Sequence, residues 1–176
     1  VRKVLKDYSI KATFFELSKN VQALPAVSKA IYDDGHEIGS HSIDHKDLTK
    51  LTAKAIKNEV SGSRDVIEAT LADEGASLTI RYFRCPYGAG IYPPQSQKVL
   101  DAIAASGMTH VLWNVDSLDW QDKSSTSVRD RVIKQMKGQK HGIILFHDIQ
   151  TATPTSLKYV LDSDYVSDNN ISFTSL

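Results

Sequence analysis

The pattern that most constrains this chain is the alternation of short apolar runs with longer amphipathic ones. Strand-like runs occur at 10–15, 36–41, 82–83, 110–115 and 142–146, with a last one at 171–174. Apolar residues recur at helical spacing across 21–33, 51–71, 95–105, 124–136 and 154–161, and also in Val1, Val4, Leu5 and Tyr8 at the start. Strands separated by helices pair in parallel, because a parallel connection needs a crossover of a dozen or more residues. The expected class is therefore α/β with a parallel sheet, and residues 1–176 are expected to form a single domain. Gly35 and Gly107 mark helix ends, and the cluster Pro86, Gly88, Gly90, Pro93 and Pro94 makes the loop after Phe83 irregular.

Composition excludes more than it selects. Lys plus Arg and Asp plus Glu are each 21, so the net charge is zero and gives no support for a nucleic-acid or anionic-membrane partner. No apolar run approaches the ~20 residues of a membrane span. Cys85 is the one cysteine, so no intrachain disulfide can form. The opening Val1-Arg2-Lys3-Val4-Leu5-Lys6 has neither an initiator Met nor an apolar signal region, and reads as the middle of something longer.

In parallel α/β folds the site lies at the carboxyl ends of the strands. His41, Arg84, Asp116 and His147 each sit at or just past such an end. His41 and His45 have a metal-ligand spacing, and neutral imidazole suits Zn²⁺ and related divalent ions. Alone, a core His41 and a surface His45 would be the ordinary reading; the other strand-end residues reverse it. Arg84 can hold a carboxylate through a bidentate fork, against the plainer reading of a surface ion pair. Pro86 fixes the backbone beside Tyr87, whose N–H can face a substrate carbonyl.

Asp119 can orient a catalytic histidine, or simply make a turn. Trp120 can pack in the core or wall a small apolar pocket. His147 ends the most hydrophobic strand, where a titratable group is costly unless it is bonded or functional, and histidine is the usual general acid near neutral pH. Leu145 points to the same side of that strand. His36, His110 and His141 are expected to be structural or exposed. Asp33-Asp34-Gly35 looks like a carboxylate pair but ends a helix, so it is expected to be a solvated terminus.

Together these segments resemble the polysaccharide deacetylase family, the NodB-homology domain of carbohydrate esterases. Ala12-Thr13-Phe14-Phe15 is similar to the strand after its first helix, and the stretch from Gly35 to His45 to its second motif. Arg84-Cys85-Pro86-Tyr87-Gly88 resembles the third motif, Asp116-Ser117-Leu118-Asp119-Trp120 the fourth and Leu145-Phe146-His147-Asp148 the fifth. The resemblance implies a distorted (β/α) barrel and a hydrolase that removes acetyl groups, mainly N-acetyl, from a polysaccharide such as peptidoglycan or a chitin-like polymer. It implies His41 and His45 as metal ligands, Arg84 as the tether of a base, and Tyr87 as an oxyanion donor. It further implies Asp119 as the partner of an acid His147, and Trp120 and Leu145 as the pocket for the acetyl methyl. Asp116 opens the fourth motif and is expected to be structural.

The implied cofactor is a divalent metal, zinc first, with cobalt, nickel and iron as alternatives. The implied location is secreted, periplasmic or cell-surface. Two departures stand out. The family's first motif, Thr-Phe-Asp-Asp-Gly, which supplies the base and a third ligand, is not found, so the first strand is expected to be missing, with a separate polypeptide as one source for it. Cys85 occupies a position where the family often has Pro or another small residue, and an inert buried thiol is expected there. The rival readings are a non-catalytic carbohydrate-binding relative and a structural α/β domain whose histidines are incidental.

Overall fold

A computed structural model describes Val1–Leu176, which form two compact units. The larger comprises residues 12–111 and 175–176 and holds a four-stranded parallel sheet. Its strands are β1 (Thr13–Glu16), β2 (Glu37–Ser40), β3 (Tyr82–Phe83) and β4 (Thr109–His110), in sequence order. β1 and β2 pair Phe14 with Ile38 and Phe15 with Gly39, β2 meets β3 through Ser40 and Phe83, and β3 meets β4 through Phe83 and His110. This register puts the residues just after β2 and β3, His41 and Arg84, at one end of the sheet.

The helices that cover this sheet depart from simple periodicity in two places. The stretch 21–33 is two helices, α2 (Ser18–Ala23) and α3 (Pro25–Asp33), broken at Leu24 with φ −138° and ψ 55°. Pro25 causes the break, because a proline disfavours helical geometry in the residue before it. The expected single apolar face is lost with it: Val21 and Ile31 are buried, while Leu24 and Val27 are exposed. The stretch 51–71 is α4 (Ala53–Lys57), a π-helical turn at Asn58–Gly62, and α5 (Ser63–Asp73). The Thr52 side chain caps α4 by accepting the Ala55 N–H. Ile56, Val60, Ile67 and Leu71 are fully buried, joining Phe83, Leu48 and Val99 in the core. Helix α6 (Gln97–Ser106) ends at Gly107, whose φ of 74° is the left-handed geometry glycine tolerates.

The smaller unit comprises residues 1–11 and 112–174. It contains α1 (Arg2–Asp7), the strands β5 (Val115–Asp116) and β6 (Ile144–Leu145), and the helices α7 (Ser125–Met136), α8 (Thr153–Leu161) and α9 (Asp164–Asp168). β5 and β6 are parallel, with Val115 opposite Ile144 and Asp116 opposite Leu145. Helix α7 buries Val128, Val132 and Met136, a spacing of four that keeps one face inward. Val160 on α8 packs with Val115, Val132 and Met136.

Two expectations are corrected here. The run 110–115 is not one strand: Thr109–His110 and Val115–Asp116 belong to different sheets. The run 171–174 forms no strand; Ile171 and Phe173 pack against the core as irregular chain, without the ladder pairing that defines a strand. Both sheets are parallel and their strands are interleaved with helices, so the class is α/β as expected. No helix is long and apolar enough to cross a membrane.

Candidate active site

The larger unit gathers His41, His45, Arg84 and Tyr87. His41 follows β2, and its backbone N–H donates to the Glu16 carbonyl at 2.8 Å. Its ring Nδ1 lies 2.7 Å from the Arg84 carbonyl oxygen, which can only accept, so Nδ1 carries the proton. That tautomer leaves the lone pair on Nε2, the arrangement found in metal-ligating histidines. The His41 and His45 rings meet edge to face with centroids 4.8 Å apart, and Tyr87 packs on His45 in the same manner at 4.6 Å.

The backbone carrying these rings is strained. Ser42, His45 and Tyr87 have φ of 76°, 67° and 59°. Left-handed geometry costs a residue with a side chain about 1–2 kcal/mol, so the loop must be held from outside. The Ser18 and Lys19 N–H groups, at the start of α2, donate to the Ser42 and Ile43 carbonyls at 3.1 and 3.2 Å. Helix α2 has no side-chain cap, so the loop and the helix start satisfy each other. Ser42 Oγ accepts the His45 N–H at 3.1 Å, and Glu59 accepts the Ile43 N–H at 2.9 Å.

Arg84 is buried, with its guanidinium carbon 4.1 Å from the centroid of the Phe15 ring. Its Nε donates to the Val111 carbonyl at 3.3 Å, and its backbone N–H to Ser40 at 2.9 Å. Burial pulls the guanidinium down to about 10, opposed by the charge of Tyr92, so it stays a cation at neutral pH. The Gly88 and Ala89 N–H groups donate to the Cys85 and Pro86 carbonyls, and the Tyr87 N–H takes no part in that turn. Cys85 is fully buried, and burial pushes its thiol up to about 12. His110 accepts the Cys85 N–H on Nε2 at 3.2 Å; burial first, and the Arg84 charge second, lower it to about 4, so it is a neutral structural acceptor.

The smaller unit gathers Asp119, His147, Trp120 and Leu145. Asp119 is completely buried. Its Oδ1 lies 2.8 Å from His147 Nδ1, and its Oδ2 accepts the His147 backbone N–H at 2.9 Å. Thr153 Oγ1 also donates toward Oδ2, with the His147 carbonyl 2.9 Å away as its other acceptor. Burial alone would raise the Asp119 carboxyl, but the bonds from His147 and Thr153 outweigh it and hold the group below the usual carboxylate value. Asp119 is therefore an anion that fixes the proton of His147 on Nδ1 and turns Nε2 outward. Lys123 braces the turn, donating to the Asp119 and Trp120 carbonyls at 3.2 and 3.0 Å. Trp120 is exposed and Leu145 is buried.

Asp116 has a structural setting, as expected: its carboxylate accepts the Leu118 N–H and the Trp113 indole N–H. His36 is buried and accepts the Ala12 N–H, and His141 is exposed. Asp33 ends α3, paired with Lys29 at 2.6 Å, and Gly35 follows with φ 75°. Glu59 and Thr153 were not singled out from sequence. Glu59 left a signal, a carboxylate on the buried Ile56–Val60 side of its helix; Thr153 beside Pro154 reads only as a helix start.

The donor chemistry of His41 and His45 fits two positions around a divalent metal. No group of three His, Cys, Asp or Glu side chains that could hold a metal is found.

The Polysaccharide deacetylase family model matches residues 1–111, and the chain belongs to that family. The chain is 28% identical over 148 residues to a chitooligosaccharide deacetylase of Azorhizobium caulinodans, covering 84% of this chain and 65% of that protein. It is 33% identical over 158 residues to the peptidoglycan-N-acetylglucosamine deacetylase PgdA of Listeria monocytogenes, covering 89% of this chain and 30% of that protein. Among solved structures, a CE4 family pseudoenzyme from Bacillus anthracis superposes with a TM-score of 0.85 at 22% identity, covering 99% of this chain and 57% of that one. That likeness shows the fold. The chain spans between about a third and two thirds of the length of these two curated relatives.

Proposed function

We propose that this chain carries out metal-dependent removal of acetyl groups from an N-acetylated polysaccharide of the cell wall, with peptidoglycan or a chitin-like polymer as substrate. The observation that carries the reading is the Asp119–His147 pair, a buried carboxylate bonded to both the ring and the backbone of a histidine at a strand end. Family membership and the relatives' named activities support the substrate class. These relatives also suggest action at the cell surface or in the periplasm.

His41 and His45 would hold the metal, zinc in the first instance. Lewis acidity toward the acetyl carbonyl and water is the chemistry such a metal supplies. Arg84, buried and cationic, would orient a carboxylate base. The Tyr87 N–H would donate to the oxygen that gains charge. His147 would protonate the departing amine from Nε2 while Asp119 holds Nδ1. Trp120 and Leu145 would offer apolar surface to the acetyl methyl.

Acetate release from chitin oligomers and peptidoglycan, with and without Zn²⁺, tests this. Release by residues 1–176 is expected to be slow, because no group of three His, Cys, Asp or Glu side chains that could hold a metal is found. General-base assistance, worth about 10²–10⁴-fold, also has no assigned carboxylate here. His147→Ala should abolish the release and leave Zn²⁺ binding intact. The rival reading is saccharide binding without catalysis. Binding of the oligomers with no Zn²⁺-dependent acetate would establish that reading instead.

A further inference from the structure

Ile43 lies midway between His41 and His45, and both of its backbone polar groups are clamped. Its carbonyl accepts the Lys19 N–H at 3.2 Å, and its N–H donates to Glu59 Oε2 at 2.9 Å. Glu59 is only 5% exposed, an unusual place for a carboxylate unless it has a task. Its other oxygen lies 3.8 Å from Lys46 Nζ, and Lys46 also pairs with Asp44 at 2.8 Å. Every residue from Ile43 to Lys46 is thus tied, directly or through one neighbour, to Glu59 or to Ser42.

The backbone around Glu59 is also specialised. Glu59 lies in the π-helical turn Asn58–Gly62, between two ordinary helical segments. A π turn inserts one extra residue and rotates the rest of the helix about its axis, and such turns concentrate at functional sites. Glu59 and Val60, adjacent in this turn, are both buried.

We propose that Glu59 is a positioning residue for metal binding: from its π turn it fixes the Ile43 N–H and thereby the relative setting of the His41 and His45 rings. It acts through the backbone of Ile43, which it bonds directly. The acceptor oxygen it supplies sits inside the protein, sheltered from competing water, and so can hold a loop with two left-handed residues, Ser42 and His45. This rests on the reading that His41 and His45 bind the metal.

The test is calorimetric titration of the chain with Zn²⁺, alongside amide hydrogen exchange at Ile43. Removing an outer partner of a metal site typically weakens binding about 10–100-fold, and Glu59→Ala should do so while speeding exchange at Ile43. Glu59→Gln keeps an oxygen acceptor for the Ile43 N–H and should recover most of the affinity, which a loss of general stability would not predict. Should Glu59→Ala fail to fold, Glu59→Asp, with its carboxylate drawn back by one methylene, is measured in its place and is expected to bind more weakly than Glu59→Gln. Wild-type affinity with unchanged Ile43 exchange in the Ala or Asp variant overturns the role of Glu59 alone. If the wild type binds no Zn²⁺, or His41→Ala/His45→Ala binds it equally well, the metal reading falls and the role of Glu59 falls with it.

Discussion

Gly39 lies against the Phe15 ring so closely that a methyl group on Gly39 would stand 2.7 Å from Phe15 Cε1. The two residues are opposite one another in the β1–β2 register, and the other face of the gap is closed by the Tyr82 carbonyl oxygen at 3.2 Å. The Phe15 ring is also what the Arg84 guanidinium rests on. A small residue at position 39 is therefore part of how Arg84 is held.

Gly39→Ala should accordingly push Phe15 off its position and lower stability by about 1–3 kcal/mol, the usual cost of overpacking. In a chain of this size that corresponds to about 2–4 °C in Tm for each kcal/mol. Adding Phe15→Leu, which shortens the obstructing ring, should return part of the loss. Thermal unfolding of the two single variants and the double variant measures the coupling; simple additivity would show that the ring is not the obstacle.

His110 makes stability depend on pH in a defined window. Its folded value, about 4, lies below the ordinary value of 6.5, so the unfolded chain takes up a proton more readily. Its contribution is present above 6.5 and is lost as pH falls toward 4. The loss should be on the order of 1–3 kcal/mol for a partly buried imidazole. His110→Gln can still accept the Cys85 N–H and does not titrate, so its urea midpoint should fall less steeply between pH 6.5 and 4 than that of the wild type.

Much of this architecture is legible without coordinates because it rests on local pattern. The β-type runs before His41, Arg84 and His147 each place a polar residue at a strand end, and strands do end next to all three. The Leu24 break was equally legible, since Pro25 announces it, yet helical periodicity across 21–33 masks it. Other features depend on distant partners. Ile171, Ser172, Phe173 and Thr174 have strand-like composition, but a strand exists only where it pairs with a neighbour, and composition does not say whether the fold supplies that pairing. The π turn at Asn58–Gly62 has no residue signature of its own. Thr153 matters because Asp119, 34 positions away, lies beside its hydroxyl, a contact no spacing rule could supply.

Cys85 should be chemically quiet in the folded chain. It is fully buried and its thiol is pushed up to about 12, so almost none is thiolate at neutral pH. Labelling with iodoacetamide at pH 7.5 should be slow and should accelerate sharply once urea unfolds the protein. Rapid labelling of the native protein would show that this part of the core opens readily.

The Thr153 hydroxyl and the Asp119 carboxylate give the last prediction. Thr153→Val keeps the shape and removes one donor from Asp119 Oδ2. The cost at pH 7 should be about 1–3 kcal/mol, as for a buried hydrogen bond to a charged group. Asp119 is held below its ordinary value of 3.8, so its contribution to stability is present above that pH and is lost as pH falls through the folded value. With one lowering bond removed, the Asp119 carboxyl should rise toward 3.8, and the gap between wild type and Thr153→Val should narrow as the pH drops below that value. Thr153→Ser restores the hydroxyl and should behave as wild type on this acid limb. Urea unfolding at pH 7 and pH 3 for the three proteins decides it: an equal difference at both pH values would mean that Thr153 only packs and does not hold the carboxylate that orients His147.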